Sequence, residues 1–291
     1  MNNGVLSVLQ ISAMENDDLG PIGVRDYPPG CVPAPRRNSI SRGGASRGGS
    51  AEVDLVVIER LRVVLPAGFS SWDAREQFFE RRRIYKVLRE HYERLKARGE
   101  NIARPDLKAM KQMNDEGLSF KFEESGDVPG VIVGDRFDYR SEMYVVGLHR
   151  QTQAGIVYVD YGADKIATSV VASGGYEDDR DYGEVLHYSG QGGNDYRGEK
   201  RQQEDQTRSI ANEALVRSFQ LRIPVRVNRG HDVETTKGWN KIYSYDGLYD
   251  VYNATTEMGA SGYKVYKFEL RRRSNQPPLQ NGTVRFNGFT R

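Results

Sequence analysis

With 291 residues, 37% hydrophobic and 10% aromatic, the chain can build one or two packed domains, but not a core along its whole length. A formal net charge of +2 excludes a histone-like polycation, so any affinity for nucleic acid must come from local clusters of Lys and Arg. The single cysteine, Cys31, excludes internal disulfides and cysteine-built zinc modules, and it fits a nuclear or cytosolic compartment.

The first seven residues lack the basic and apolar regions of a secretion signal. The most apolar stretch, 55–65, carries Glu59, Arg60 and Arg62 and is too short to span a bilayer, so a soluble protein with no membrane partner is expected. Residues 1–66 read as a disordered tail: Pro28, Pro29, Gly30, Pro33 and Pro35 precede two Arg-Gly-Gly steps, and apolar periodicity is absent. Such steps can brush nucleic acid, but a flexible basic tail accounts for them as well.

Residues 67–126 read as a helical segment. Phe78, Tyr85, Leu88, Tyr92 and Leu95 recur at three- and four-residue steps within 71–99, after a capping pattern of Asp73 and Glu76. Gly99 suits the stop, and Pro105 opens a second helix over 105–114. Arg81, Arg82, Arg83, Lys86 and Arg89 form a charged face, read as solvated rather than laid on a nucleic-acid backbone.

From residue 127 the texture turns to strand. Phe137 to Arg140 alternates and Met143 to Val146 reads as its buried continuation. Residues 166–171 are rich in β-branched side chains, and Val225 to Asn228 alternates. Tyr263 to Val265 and Tyr266 to Leu270 alternate out of phase, which predicts a bulge between them. One helix is expected over 205–219. The fold class is therefore α+β, with a curved sheet or barrel and flanking helices over 127–276 and an unpatterned tail over 277–291.

The densest run of unusual residues is Gly174-Gly175-Tyr176-Glu177-Asp178-Asp179, followed by Tyr188-Ser189-Gly190-Gln191-Gly192-Gly193. Glycine pairs allow close backbone approach, and tyrosines and carboxylates suit a flat ligand bearing an amino group. An acidic surface loop has the same composition. His149 and His187 lack a Ser or Cys partner at motif spacing, and the only acid-x-Lys triplet, Asp106-Leu107-Lys108, lies in a helical context; neither hydrolysis nor metal-dependent cleavage is expected.

Five ordered blocks make the pattern specific. Val128-Pro129-Gly130 to Asp135, Gly147-Leu148-His149-Arg150 with Gln153-Ala154-Gly155-Ile156, Ala172 to Asp179, Tyr188 to Gly193, and Tyr245-Asp246-Gly247 together resemble the SRA domain, also called YDG. The wording is similar to the plant branch, where the domain precedes the pre-SET and SET modules of histone lysine methyltransferases. No Cys-rich cluster follows here and no SET domain fits the remaining residues, so catalysis is not carried over.

The resemblance implies an SRA (PUA-like) fold and a non-catalytic nuclear reader of 5-methylcytosine. Its partners would be methylated double-stranded DNA and possible chromatin proteins, with no cofactor, metal or small-molecule substrate. It implies a pocket of Gly174, Gly175, Tyr176, Asp179, Tyr188 and Ser189, with the two tyrosines stacking on a flipped base and Asp179 accepting from its amino group. Ser189 stands where many members have Thr. The resemblance also implies DNA-facing loops carrying His149, Arg150 and Gln153, and Lys200 and Arg201, with Gln153 entering the space that the base vacates. Glu199 replaces the amide of the animal Asn-Lys-Arg loop. The alternative is a truncated methyltransferase relative that keeps the fold as a chromatin interaction module without binding methylated DNA.

Overall fold

A computed structural model describes residues 61–195, 201–235 and 238–279. Residues 1–60 and 280–291, and with them most of the two expected tails, lie outside the described residues. The six residues 61–66 do not behave as tail. Val63 is only 6% exposed, and the Leu61 carbonyl accepts from Gln112, so the chain is already packed before residue 67.

Helix α1, Ala74–Ala97, starts on the expected capping box: Asp73 accepts from the Arg75 and Glu76 amides, and Glu76 accepts from the Asp73 amide. Its apolar stripe is buried as the spacing predicts. Much of its basic face is committed internally. Arg75 pairs with Asp135, Arg82 with Glu142 and Arg83 with Glu80, and the Arg81 guanidinium lies over the Phe69 and Phe120 rings. Helix α2, Pro105–Asp115, has Pro at its first turn.

Strand β1, Arg136–Phe137, is only two residues long, and the expected strand continuation is instead helix α3, Arg140–Val145. Ser141, Glu142, Met143 and Val145 are all buried, so this short helix shows no amphipathic period. Glu142, held by Arg82 Nε at 2.8 Å and the Asp138 amide at 2.9 Å, ties it to α1. One apolar core joins α1, α2, α3 and β1 to Val171 and Tyr245, so the helical segment shares its interior with the β domain. Among the described residues no helix is long and apolar enough to cross a membrane.

The remaining elements are β2 Ile156–Tyr161, β3 Asp164–Ala172, β4 Arg180–Asp181, β5 Val185–Ser189, α4 Ile210–Leu221, β6 Val225–Thr235, β7 Gly238–Met258 and β8 Lys264–Arg272. They form one open sheet in the order β2-β3-β6-β7-β8-β5-β4, with β1 beside β7. Among the described residues only β3 and β6 run parallel. The sheet bends round a second core of Ile156, Val170, Leu186, Val227, Tyr249 and Phe268, and α4 packs Ala211, Ala214 and Leu215 against it. The expected bulge is displaced: β8 pairs without a break from Lys264 to Glu269, and the register slips across the sheet at Tyr252 of β7. The phase change read in β8 reflects a change of covering, since Val265, Phe268 and Leu270 are buried in turn.

Candidate nucleic-acid interface

The 174–179 loop leaves β3 and enters β4, and β5 then carries Tyr188 and Ser189 back beside it. Gly174 adopts φ 64°, a left-handed conformation that glycine takes without strain. Three bonds join the two segments. Asp179 Oδ1 accepts from the Ser189 amide at 2.7 Å, Tyr176 Oη accepts from the Gly192 amide at 3.2 Å, and Asn194 Nδ2 donates to the Gly175 carbonyl at 3.4 Å. Of the six residues named from sequence, Gly175, Tyr176, Asp179 and Ser189 take part in these bonds, and Gly174 and Tyr188 adjoin them in the chain.

The carboxyl of Asp179 is pushed up to about 7. Burial is the main cause, the Asp178 and Asp181 charges add to it, and hydrogen bonding from Ser189 opposes it. Next to it Ser189 is 1% exposed, and its hydroxyl has no well-aligned partner. Tyr188 is 3% exposed and packs with the second core. Its hydroxyl sits so close to Gly155 that a Cβ there would be 2.6 Å away.

Glu177 and Asp178, left without a role by the sequence, anchor the loop. Glu177 accepts from the Gln202 amide at 3.3 Å. Asp178 accepts from the Ala260 amide at 3.1 Å and pairs with Lys267 at 3.2 Å, fastening the loop to the β7–β8 turn. No short-range pattern could reveal these partners, the nearest of which lies 25 residues away in sequence.

The expected DNA-facing residues divide. Gln153 is exposed at the tip of its loop. His149 is not a surface residue: it is 0% exposed, bonded through Nδ1 to Ser169 Oγ at 3.0 Å and through Nε2 to the Ala154 carbonyl at 3.1 Å. Burial, with Arg140 nearby, pushes its imidazole down to about 3, so the ring is neutral. Its assignment to a DNA-contacting set is corrected to a structural one. Arg150 is also committed inward, donating to the Phe120 carbonyl at 3.0 Å and lying over the Tyr144 ring. Lys200, with Glu199, lies outside the described residues. Arg201 is exposed at the base of that loop, where the Asp195 amide donates to its carbonyl at 3.0 Å.

Residues 124–276, more than half of the chain, match the SAD/SRA domain. The chain belongs to the SAD/SRA domain family. It is 48% identical over 162 residues to SUVH6 of Arabidopsis thaliana, an H3 lysine-9 specific histone-lysine N-methyltransferase, in a match covering 53% of this chain and 20% of SUVH6. It is 41% identical to a YDG domain-containing protein of the same plant, over 61% of this chain and 54% of that protein. Among solved structures, KRYPTONITE in complex with mCHG DNA and SAH superposes with a TM-score of 0.68 at 34% identity, covering 72% of this chain and 46% of that one. The chain therefore spans only part of the length of these relatives.

The Tyr-Asp-Gly signature of this SRA domain lies on β7. The Tyr245 hydroxyl donates to Asp127 at 3.0 Å, and Gly247 adopts φ 102° where its neighbour's amide meets Gln276. Asp246 reaches Arg229 at 2.6 Å. Arg229, 2% exposed, also forks onto Asp181, two residues beyond Asp179, and donates to the Gly183 carbonyl. Burial alone would make Arg229 easier to deprotonate, but its bonds to Asp181 and the charge of Asp246 outweigh that and keep it charged. The signature thus braces β4, the strand that follows Asp179.

Proposed function

We propose that this chain recognises 5-methylcytosine in duplex DNA by taking the flipped base into the region bounded by Tyr176, Asp179, Tyr188 and Ser189, and that it acts in the nucleus at chromatin. The observation that carries this reading is the Asp179–Ser189 bond. The Ser189 amide occupies Oδ1 and leaves Oδ2 as the acceptor for an exocyclic amino group. Thymine would set a carbonyl against that oxygen, leaving two acceptors unpaired. The complex of the related KRYPTONITE with mCHG DNA supports the same reading.

Flipping costs a few kcal/mol, which the pocket must return. Stacking against Tyr176 and Tyr188 supplies about 1–3 kcal/mol per base. Gly175 fits the close approach of a ligand: no atom lies within 4 Å of where its Cβ would stand, so the folded chain itself does not demand glycine there. Gln153 fills the vacated space and bonds the orphaned guanine, while Lys200 and Arg201 meet phosphate. Activity along this stretch is binding, and its effect on chromatin is recruitment or competition.

The test is fluorescence anisotropy with unmethylated, hemimethylated and fully methylated duplexes in CG, CHG and CHH contexts. Tighter binding to at least one methylated duplex is expected. Equal affinity for all of them would sink the reading and favour a chromatin interaction module that has kept only the fold.

A further inference from the structure

The exposed loop that carries Gln153 is held by its backbone, and the holder is a residue the sequence motifs do not mark. Arg140, the first residue of α3, directs one nitrogen, Nη1, at two successive carbonyls: Gln153 O at 2.6 Å and Ala154 O at 3.0 Å. Successive carbonyls of an extended chain point to opposite sides. Turning both towards one point sets their dipoles against each other, and a cation between them offsets that repulsion. The two peptide planes that flank Ala154 are thereby fixed, and the first of them follows directly on Gln153, so the chain is held where the Gln153 side chain leaves the loop.

A second strut meets the same place from inside. The Ala154 carbonyl can only accept, so His149 Nε2 carries the proton and Nδ1 accepts from Ser169 Oγ. Ser169 Oγ in turn accepts from Asn228 Nδ2 at 2.9 Å, on the sheet strand β6. The Arg140 guanidinium itself lies 5.7 Å from the centre of the Tyr243 ring on β7. The loop is therefore referenced to the rigid sheet on one side and to α3 on the other.

We propose that Arg140 is a positioning residue for base flipping: it sets the Gln153 loop so that the Gln153 side chain enters the duplex as the methylated base leaves. This rests on the methylcytosine reading above. Lysine cannot serve equally, because a single ammonium on a flexible stem lacks the planar fork that fixes the Arg donors relative to one another.

The test uses a duplex with 2-aminopurine beside the methylcytosine, whose fluorescence rises when its neighbour unstacks. Arg140→Met should weaken binding to the methylated duplex about tenfold and reduce the fluorescence rise, with the loss confined to methylated DNA and the melting temperature little changed. Arg140→Lys should fall between. Because Arg140 acts through Gln153, the double variant Arg140→Met/Gln153→Ala should bind no more weakly than Gln153→Ala alone. Additive losses, an equal loss on unmethylated duplex, or no loss would each overturn the inference while leaving the functional reading in place. Wild-type protein that neither prefers methylated DNA nor raises the fluorescence would overturn both.

Discussion

Arg229 closes on Asp181 with two parallel hydrogen bonds, from Nε to Oδ2 at 2.7 Å and from Nη2 to Oδ1 at 2.9 Å, in a site that water barely reaches. Its remaining nitrogen bonds Asp246 at 2.6 Å and the Tyr249 hydroxyl at 2.9 Å. One cation thus faces two carboxylates, and β4 is tied to the β6–β7 pair through it. Removing the cation leaves two buried acids uncompensated, which is far costlier than losing a surface pair. Arg229→Met should destabilise the domain by about 3–5 kcal/mol in urea unfolding. Adding Asp181→Asn to that background should recover part of the loss, because one stranded charge goes with it. A cost below about 1 kcal/mol would show that the brace is not needed.

Asp179 gives a prediction with opposite signs for stability and recognition. Its carboxyl titrates at about 7 in the folded protein against an ordinary value near 4, so the folded state binds the proton more tightly. Stability contributed by this group is then full below about pH 4 and is lost as pH rises through about 7. Asp179→Asn should raise stability above pH 7, by an amount on the order of 2 kcal/mol, and change it little at pH 4. With the Ser189 amide still holding the amide oxygen, Asn would turn an NH2 group towards the cytosine amino group. Donor then meets donor, and preference for methylated duplex should disappear. In the wild type, binding favours the ionised carboxyl, so affinity for methylated duplex should fall as pH drops below about 7. A flat pH profile, or a variant that keeps its preference, would refute the role given to Asp179.

These two acids mark what sequence reading can and cannot reach. Local devices were legible: the Asp73–Glu76 capping box, Pro105 at a helix start and the stripe from Phe78 to Leu95 all act within four residues of themselves. Helix α3 was not, because it is buried on several sides and too short to display a period. Arg226 stands between Val225 and Val227 in an alternating stretch and Arg229 follows Asn228, yet both charged side chains are buried. The partners that permit this, Glu124 and Gly126 for Arg226 and Asp181 for Arg229, lie 102, 100 and 48 residues away in sequence. The candidate pocket was recognisable by resemblance as a set of side chains. Its anchors, Glu177, Asp178 and Arg140, were invisible because each makes a bond that only the tertiary structure brings about.

His149 predicts an acid limit. Burial pushes the imidazole down to about 3 from an ordinary value of 6.5, so unfolding takes up a proton between those values. The group's contribution is present above about pH 6.5 and is lost as pH falls towards 3, the reverse of Asp179. At pH 5 the loss should be about 2 kcal/mol relative to neutral pH. His149→Gln should lower stability at neutral pH, since its bonds to Ser169 and Ala154 are disturbed, and also reduce proton uptake on unfolding between pH 4 and 6 by about one. Calorimetry in buffers of different ionisation enthalpy measures that uptake, and an unchanged value would rule His149 out as its source.

Gly155 brings the Gln153 loop against Tyr188. A Cβ there would stand 2.6 Å from the Tyr188 hydroxyl, closer than such atoms pack, and the Tyr188 ring is held within the sheet core. Either the ring must shift or the loop must lift, and overpacking of this kind costs about 1–3 kcal/mol. Gly155→Ala should therefore weaken binding to methylated duplex about tenfold as well as lower the melting temperature. Tyr188→Phe removes the one oxygen in the way and keeps the aromatic face, so the pair Gly155→Ala/Tyr188→Phe should regain most of both losses. If Tyr188→Phe restores stability but not affinity, the hydroxyl itself takes part in holding the base. If it restores neither, the contact between Gly155 and Tyr188 is not what ties the loop to β5.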